Sequence, residues 1–174
     1  MSESPLKAAI FCAVFLFFSP NLYAKSGGNC PDAREPEISF IDYPSIDNPL
    51  LPPEQQTEIT VKGKLKMPQR CNRKQRDHRP LHQLTAVLIL HGSAGVDFRG
   101  DFYASALNDA GIATLEIDLW EARGVTGVTN RPPLPVMTYP DAFGGLAFLS
   151  AHEMIDPGRI GVLGFSWGGV MSLA

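Results

Sequence analysis

The chain has 174 residues, of which 44% are hydrophobic and 19% charged, and its formal net charge is −3. That length can bury a real core within one domain, and the composition excludes a disordered polyelectrolyte. A weakly negative chain also gives no reason to expect nucleic acid or an anionic lipid surface as partner.

The N-terminus is read first. Lys7 precedes an apolar run over residues 8–18, followed by Ser19-Pro20 and Leu22-Tyr23-Ala24. A short positive region, a hydrophobic stretch and a small residue before the cut describe a signal peptide over residues 1–24, cleaved near Ala24. The competing reading is an anchor, but a span needs about 20 apolar residues and this run is shorter. The expectation is a periplasmic or secreted protein without a stable membrane anchor. Cys12 would leave with the leader; Cys30 and Cys71 remain, either bridged in an oxidising compartment or as two free thiols.

Residues 25–56 are rich in Pro, Asp and Ser with little periodicity, and read as an extended arm. Residues 57–67 alternate, with Ile59, Val61 and Leu65 against Thr60, Lys62, Lys64 and Lys66, which predicts a half-exposed strand in an antiparallel hairpin at a sheet edge. Residues 69–80 carry Arg70, Arg73, Lys74, Arg76 and Arg79 without interleaved aromatics, so a solvated loop is preferred to an anion-binding patch.

A βα pattern follows. Residues 86–90 form a continuous apolar run, as in a strand buried on both faces. Residues 101–110 predict a helix with Phe102, Ala106 and Leu107 on one side and Gly111 as its stop. Residues 112–117 predict a strand, 139–152 a helix opening near Pro140-Asp141, 156–158 a turn, and 159–164 a third buried strand. Alternation of this kind implies an α/β fold with a mostly parallel sheet and flanking helices.

Two segments carry chemistry. Gly164-Phe165-Ser166-Trp167-Gly168 fits G-x-S-x-G, directly after a buried strand and before a helical stretch. In that context a sharp turn lifts the serine hydroxyl above the sheet, and small flanking residues let the backbone pack closely. Ser166 is therefore the candidate nucleophile. His91-Gly92-Ser93-Ala94-Gly95 follows the 86–90 strand at its carboxyl end, where such sheets place their sites. The amides of Ser93 and Trp167 are the candidate oxyanion-hole donors.

These segments, with Ala110-Gly111-Ile112-Ala113, Glu116-Ile117-Asp118 and Asp156-Pro157-Gly158-Arg159-Ile160-Gly161, resemble the dienelactone hydrolase family over about residues 57–174. The resemblance implies an α/β-hydrolase fold and hydrolysis of an ester or lactone without a cofactor, through a nucleophile–Asp–His triad. The type enzymes have a cysteine nucleophile and a glutamate where this chain has Gly92, so the chain is similar to the serine branch. Arg123, after Asp118-Leu119-Trp120-Glu121-Ala122, matches an arginine that grips the substrate carboxylate, or is an ordinary surface arginine.

Serine needs a base oriented by a third group, and in this fold the acid and histidine follow the serine in the chain. Eight residues follow Ser166, none acidic or histidine. His78, His82 and His152 belong to the wrong end of the sheet, and His91 is expected to shape the oxyanion loop. The expectation is an incomplete α/β-hydrolase, ending just after the nucleophile elbow, that is inactive by itself; its domain would be residues 57–174. The intact protein would cleave a small-molecule ester or lactone. The alternatives are a secreted peptidase of similar fold and a non-catalytic hydrolase-like binding protein. No metal site is expected, since no ligand-spaced cluster occurs, and oligomeric state is open.

Overall fold

The computed structural model describes residues 36–68 and 83–174. The expected leader, Cys30, Cys71, the basic segment, His78 and His82 lie outside those residues.

Five strands form one sheet: β1 (Glu37–Asp47), β2 (Thr57–Met67), β3 (Leu84–Leu90), β4 (Ala113–Asp118) and β5 (Ile155–Gly164), in the order β1-β2-β4-β3-β5. β4, β3 and β5 run parallel, and β2 lies antiparallel to both β4 and β1. Helices α1 (Phe98–Asp109), α2 (Tyr139–Ala151) and α3 (Trp167–Met171) follow β3, β4 and β5 respectively.

The apolar runs became the central strands for the expected reason. Leu88, Ile89, Leu90, Leu115 and Ile117 are fully buried, and each such side chain is worth about 1.5–3 kcal/mol on leaving water. One sheet face, bearing Val61, Leu65, Leu88, Leu90, Leu115 and Ile117, shares its core with Ala142 and Leu149 of α2 and Met171 of α3. The other face lies under α1.

Three sequence expectations are corrected. The segment read as an extended arm holds β1, paired with β2 across its full length from Glu37↔Met67 to Asp47↔Thr57. Tyr43 and Ser45 point inward while Phe40 is 84% exposed, so its apolar residues do not mark its buried face. Pro44 interrupts its donor row, as an edge strand tolerates. Secondly, α1 turns Gly100, Ala104 and Asn108 inward and leaves Phe102 in solvent. A Cβ at position 100 would overlap the Glu116 carboxylate, so α1 lies on a polar stretch of sheet where small residues fit. Thirdly, residues 156–158 do not precede the last strand but bulge within it: Leu84↔Ile155 and Ala86↔Ile160 leave the intervening residues of β5 looped out.

Candidate active site

The site forms where β3 and β5 end together. Their last paired residues are Leu90 and Gly164. Beyond them the Phe165 amide donates to Leu90 O at 3.0 Å and the Gly168 amide to His91 O at 3.1 Å. A side chain at Gly164 would strike the Gly168 backbone, and one at Gly168 would strike Leu90 O. Strand, turn and α3 therefore close on one another only with glycine at both places. Both flanking glycines of the motif are explained by contact rather than by flexibility.

Ser166 sits at the apex with φ 50° and ψ −102°. It is one of two non-glycine residues with positive φ among the described residues, the other being Asn48. Such a backbone costs about 1–3 kcal/mol and persists only where its surroundings impose it. Its side chain is exposed and makes no hydrogen bond among the described residues. Trp167, next in the chain, is buried at the start of α3, its indole donating to Thr138 Oγ1 at 3.0 Å.

The loop after β3 lies against this turn. A Cβ on Gly92 would stand 3.2 Å from Phe165 O and 3.6 Å from Ser166 Cβ. The Gly95 amide closes the loop onto Gly92 O at 3.0 Å, with Gly95 at φ 94°, a conformation that favours glycine. Ser93 stands within this loop and its carbonyl accepts from the Trp120 indole at 3.2 Å. Ser166, Ser93 and Trp167 are thus gathered at one end of the sheet.

His91 anchors the loop from below. It is 3% exposed; the Leu119 amide donates to its Nε2 at 2.9 Å, and its Nδ1 lies 2.7 Å from Gly92 O. An amide can only donate, so Nε2 is the acceptor and Nδ1 carries the proton. Both ring nitrogens are therefore engaged, and Trp120 packs edge-on at 5.2 Å between ring centres. His152, the other histidine among the described residues, caps the far end of α2. Asp118 holds the next loop, accepting from the amides of Trp120 and Glu121 at 2.8 and 3.1 Å. These amide donors favour the ionised form and keep its carboxyl below the usual carboxylate range.

Arg123 is not available to a ligand. Its side chain is 3% exposed. Nε donates to Asp47 Oδ1 at 2.9 Å, Nη1 to Asp141 Oδ2 at 2.7 Å and to Leu119 O at 3.2 Å, and Nη2 to Asp141 Oδ1 at 3.2 Å and to Ile46 O at 3.3 Å. All five guanidinium protons are used, so the substrate-binding role expected for Arg123 is replaced by a structural one. Asp141, wholly buried, also accepts from Ser45 Oγ at 2.5 Å, and its carbonyl accepts from Tyr43 Oη at 2.6 Å. Burial pushes the Asp141 carboxyl up against the opposing pull of Arg123. The network ties β1 to α2 and to the short helical turn Glu121–Arg123.

Two other arginines, which motif reading passed over, flank the serine's neighbours. The Arg99 guanidinium lies 5.2 Å from the Phe165 ring centre, and that of Arg131 lies 4.4 Å from the Trp167 ring centre. Asp97-Phe98-Arg99 carried a helix-cap signal that could have drawn attention to Arg99; nothing local marks Arg131. Among the described residues no group of three His, Cys, Asp or Glu is placed to hold a metal, and no helix is long and apolar enough to cross a membrane.

No protein-family model matches the chain, and no curated protein matches it. Solved structures do. Dienelactone hydrolase from Anabaena variabilis superposes with TM-score 0.55 at 21% identity, over 80% of this chain and 56% of that one. The α/β-hydrolase GrgF from Penicillium sp. sh18 gives TM-score 0.56 at 14% identity, over 79% of this chain and 40% of the other. A putative dipeptidyl aminopeptidase IV from Bacteroides ovatus gives 0.53 at 18% identity, over 82% of this chain and 19% of the other. The chain thus spans between about a fifth and somewhat more than half of these proteins. Five strands in a mixed sheet, helices on both faces and a serine turn after the third parallel strand give this chain the α/β-hydrolase fold over that portion.

Proposed function

We propose that this chain is part of an exported serine hydrolase that cleaves an ester or lactone, with Ser166 as nucleophile and the amides of Ser93 and Trp167 as oxyanion donors. The observation that carries the reading is the backbone of Ser166: an exposed serine held at φ 50° against the 91–95 loop. A purely structural turn has no use for strain of that size at a non-glycine residue. The strained turn presents the hydroxyl, and attack by Oγ on a carbonyl moves charge onto the carbonyl oxygen, which two main-chain donors would receive. The proton of Oγ must pass to a base. Among the described residues His91 has both nitrogens engaged and His152 lies at the opposite end of α2; the order in which this fold carries its triad, serine, then acid, then histidine, assigns the last two to sequence beyond residue 174. The 174-residue chain alone would then have a presented but unactivated serine.

The deciding experiment is labelling by a fluorophosphonate. The protein extended by its downstream coding sequence is expected to be modified at Ser166 and not in Ser166→Ala, and the 174-residue chain to stay at the level of that control. An extended protein that remains unlabelled while folded would leave the non-catalytic binding role instead. Export is tested separately, by sequencing the N-terminus of the mature protein for a start after Ala24.

A further inference from the structure

Thr138 turns its hydroxyl away from the usual partner. It is the N-cap of α2, where a threonine side chain ordinarily accepts from an amide of the first turn, and it makes no such bond. The residue is wholly buried, and its Oγ1 accepts from the Trp167 indole Nε1 at 3.0 Å. Its one proton faces Pro135 O at 2.9 Å, with Met171 Sδ at 3.2 Å. Trp167 and Met171 are buried residues of α3 placed one helical turn apart, on one side of it. A single hydroxyl at the end of the short turn Pro135–Thr138 thus touches both. The Trp167 ring has two further contacts: Trp120 packs edge-on at 5.5 Å between ring centres, and the Arg131 guanidinium lies 4.4 Å from the ring centre.

That grip matters because α3 cannot hold itself. It has five residues, two of them glycine, and a helix that short is not stable alone. The Phe165 amide is bonded to Leu90 O and the Gly168 amide to His91 O, so the chain is pinned on either side of the 166–167 peptide. Between the pins the Ser166 side chain is exposed and, among the described residues, unbonded, so it does nothing to oppose relaxation of its φ of 50°. The carbonyl of that peptide accepts from the Val170 amide at 3.0 Å, a bond internal to the α3 turn. Turning the peptide toward an ordinary geometry would break that bond and shift the Trp167 side chain, which is 4% exposed and fastened at its indole nitrogen. The same peptide carries the Trp167 amide, which donates to nothing among the described residues. Fixing the indole therefore fixes where that N–H points.

We propose that Thr138 is a positioning residue. By holding the Trp167 indole and touching Met171 Sδ, it keeps α3 in place, maintains the strained backbone of Ser166 and aims the Trp167 amide at the carbonyl oxygen. The aiming rests on the reading of that amide as an oxyanion donor; the coupling between Thr138 and the Ser166 backbone does not.

The coupling is measured on the full 174-residue chain by urea denaturation. Ser166→Gly, which relieves the strain, is expected to raise the folding constant about fivefold in the native background. In Thr138→Val or Trp167→Phe the same change should gain less than about twofold, and Thr138→Ser, which keeps the hydroxyl, should restore the gain. Trp167→Phe removes the indole donor while the Thr138 hydroxyl keeps Pro135 O, so it carries the comparison if Thr138→Val does not fold. The backbone amide signal of residue 167 in nitrogen–proton NMR spectra should move in both variants and return in Thr138→Ser. In the protein extended by its downstream sequence, Thr138→Val should lower kcat on p-nitrophenyl acetate about tenfold, less than the loss of a whole oxyanion donor, with KM little changed. An equal gain from Ser166→Gly in every background, no gain in the native one, or an unmoved residue 167 signal would overturn the positioning role. A loss confined to KM, or an extended protein that a fluorophosphonate leaves unlabelled, would overturn the aiming alone and leave the coupling standing.

Discussion

Removing the Arg123 side chain is the sharpest available test of how this fold is held together. In Arg123→Met the carboxylate of Asp141 stays where it is, with no exposure, and keeps only the Ser45 hydroxyl as a side-chain partner. Stranding one member of a buried ion pair costs about 3–5 kcal/mol, a large share of the 5–15 kcal/mol that holds a typical domain together. The carboxyl has an escape, since it can take a proton. Burial already raises its pKa above the usual carboxylate range in the presence of Arg123, and without Arg123 the rise is larger. A carboxyl whose folded pKa lies above its unfolded one stabilises the fold at low pH and loses that contribution as pH rises through the folded pKa. The deficit of Arg123→Met should therefore be greatest at neutral pH and shrink as the solution is acidified toward the unfolded carboxylate value. The double variant Arg123→Met/Asp141→Leu removes both charges and should recover most of the loss, since an apolar pair replaces an ionic one at little net cost. Urea denaturation followed by circular dichroism at several pH values measures all three. A loss below about 1 kcal/mol, the scale of an exposed pair, would refute the reasoning, as would a double variant no more stable than the single one or a deficit that grows on acidification.

Three further outcomes follow from the site. Ser166→Gly should raise the unfolding midpoint, because relief of about 1–3 kcal/mol of backbone strain exceeds the entropic cost of the glycine; Ser166→Ala keeps the strain and should not, so equal midpoints in differential scanning would count against an imposed φ at residue 166. Gly168→Ala should destabilise by about 1–3 kcal/mol through overpacking against Leu90 O, visible as a lowered urea midpoint, whereas Gly127→Ala, where a Cβ meets nothing within 4 Å, should be nearly silent. Asp118→Asn should cost less than about 1 kcal/mol at neutral pH. Because the Asp118 pKa is depressed, its contribution is present above the unfolded value and fades as pH falls through the folded one, so native and Asp118→Asn stabilities should converge below about pH 4.

How much of this was legible beforehand can be read from particular residues. The β3–α1–β4–α2–β5 order was visible because helix and strand have different periods and because β3 is an unbroken apolar run; β5, expected to be buried, lies at the edge of the described sheet and is largely exposed. The serine turn was visible because the motif is contiguous and Gly164 answers the Gly168 backbone within five residues of chain, although the demand on Gly168 itself comes from Leu90 O, far away in sequence. The sequence placed the 91–95 loop at the carboxyl end of its strand, but its adjacency to the serine turn depends on β3 pairing with β5 rather than β4 alone, which the tertiary structure decides.

What tertiary structure alone decided involved partners far apart in the chain. β1 was unreadable because its inward face is Tyr43 and Ser45 while Phe40 faces solvent, and only pairing with β2 and packing on α2 make a strand of it. The inner side of α1 was not readable because the sheet beneath presents Glu116, which small residues fit and Phe102 does not. Arg123 looked free to meet a ligand because its acceptors, Asp47 and Asp141, stand 76 and 18 residues away. Hydrophobic period and turn geometry are local and survive in one dimension; the pairing of charges and the choice of which face is covered depend on distances that exist only once the chain has folded.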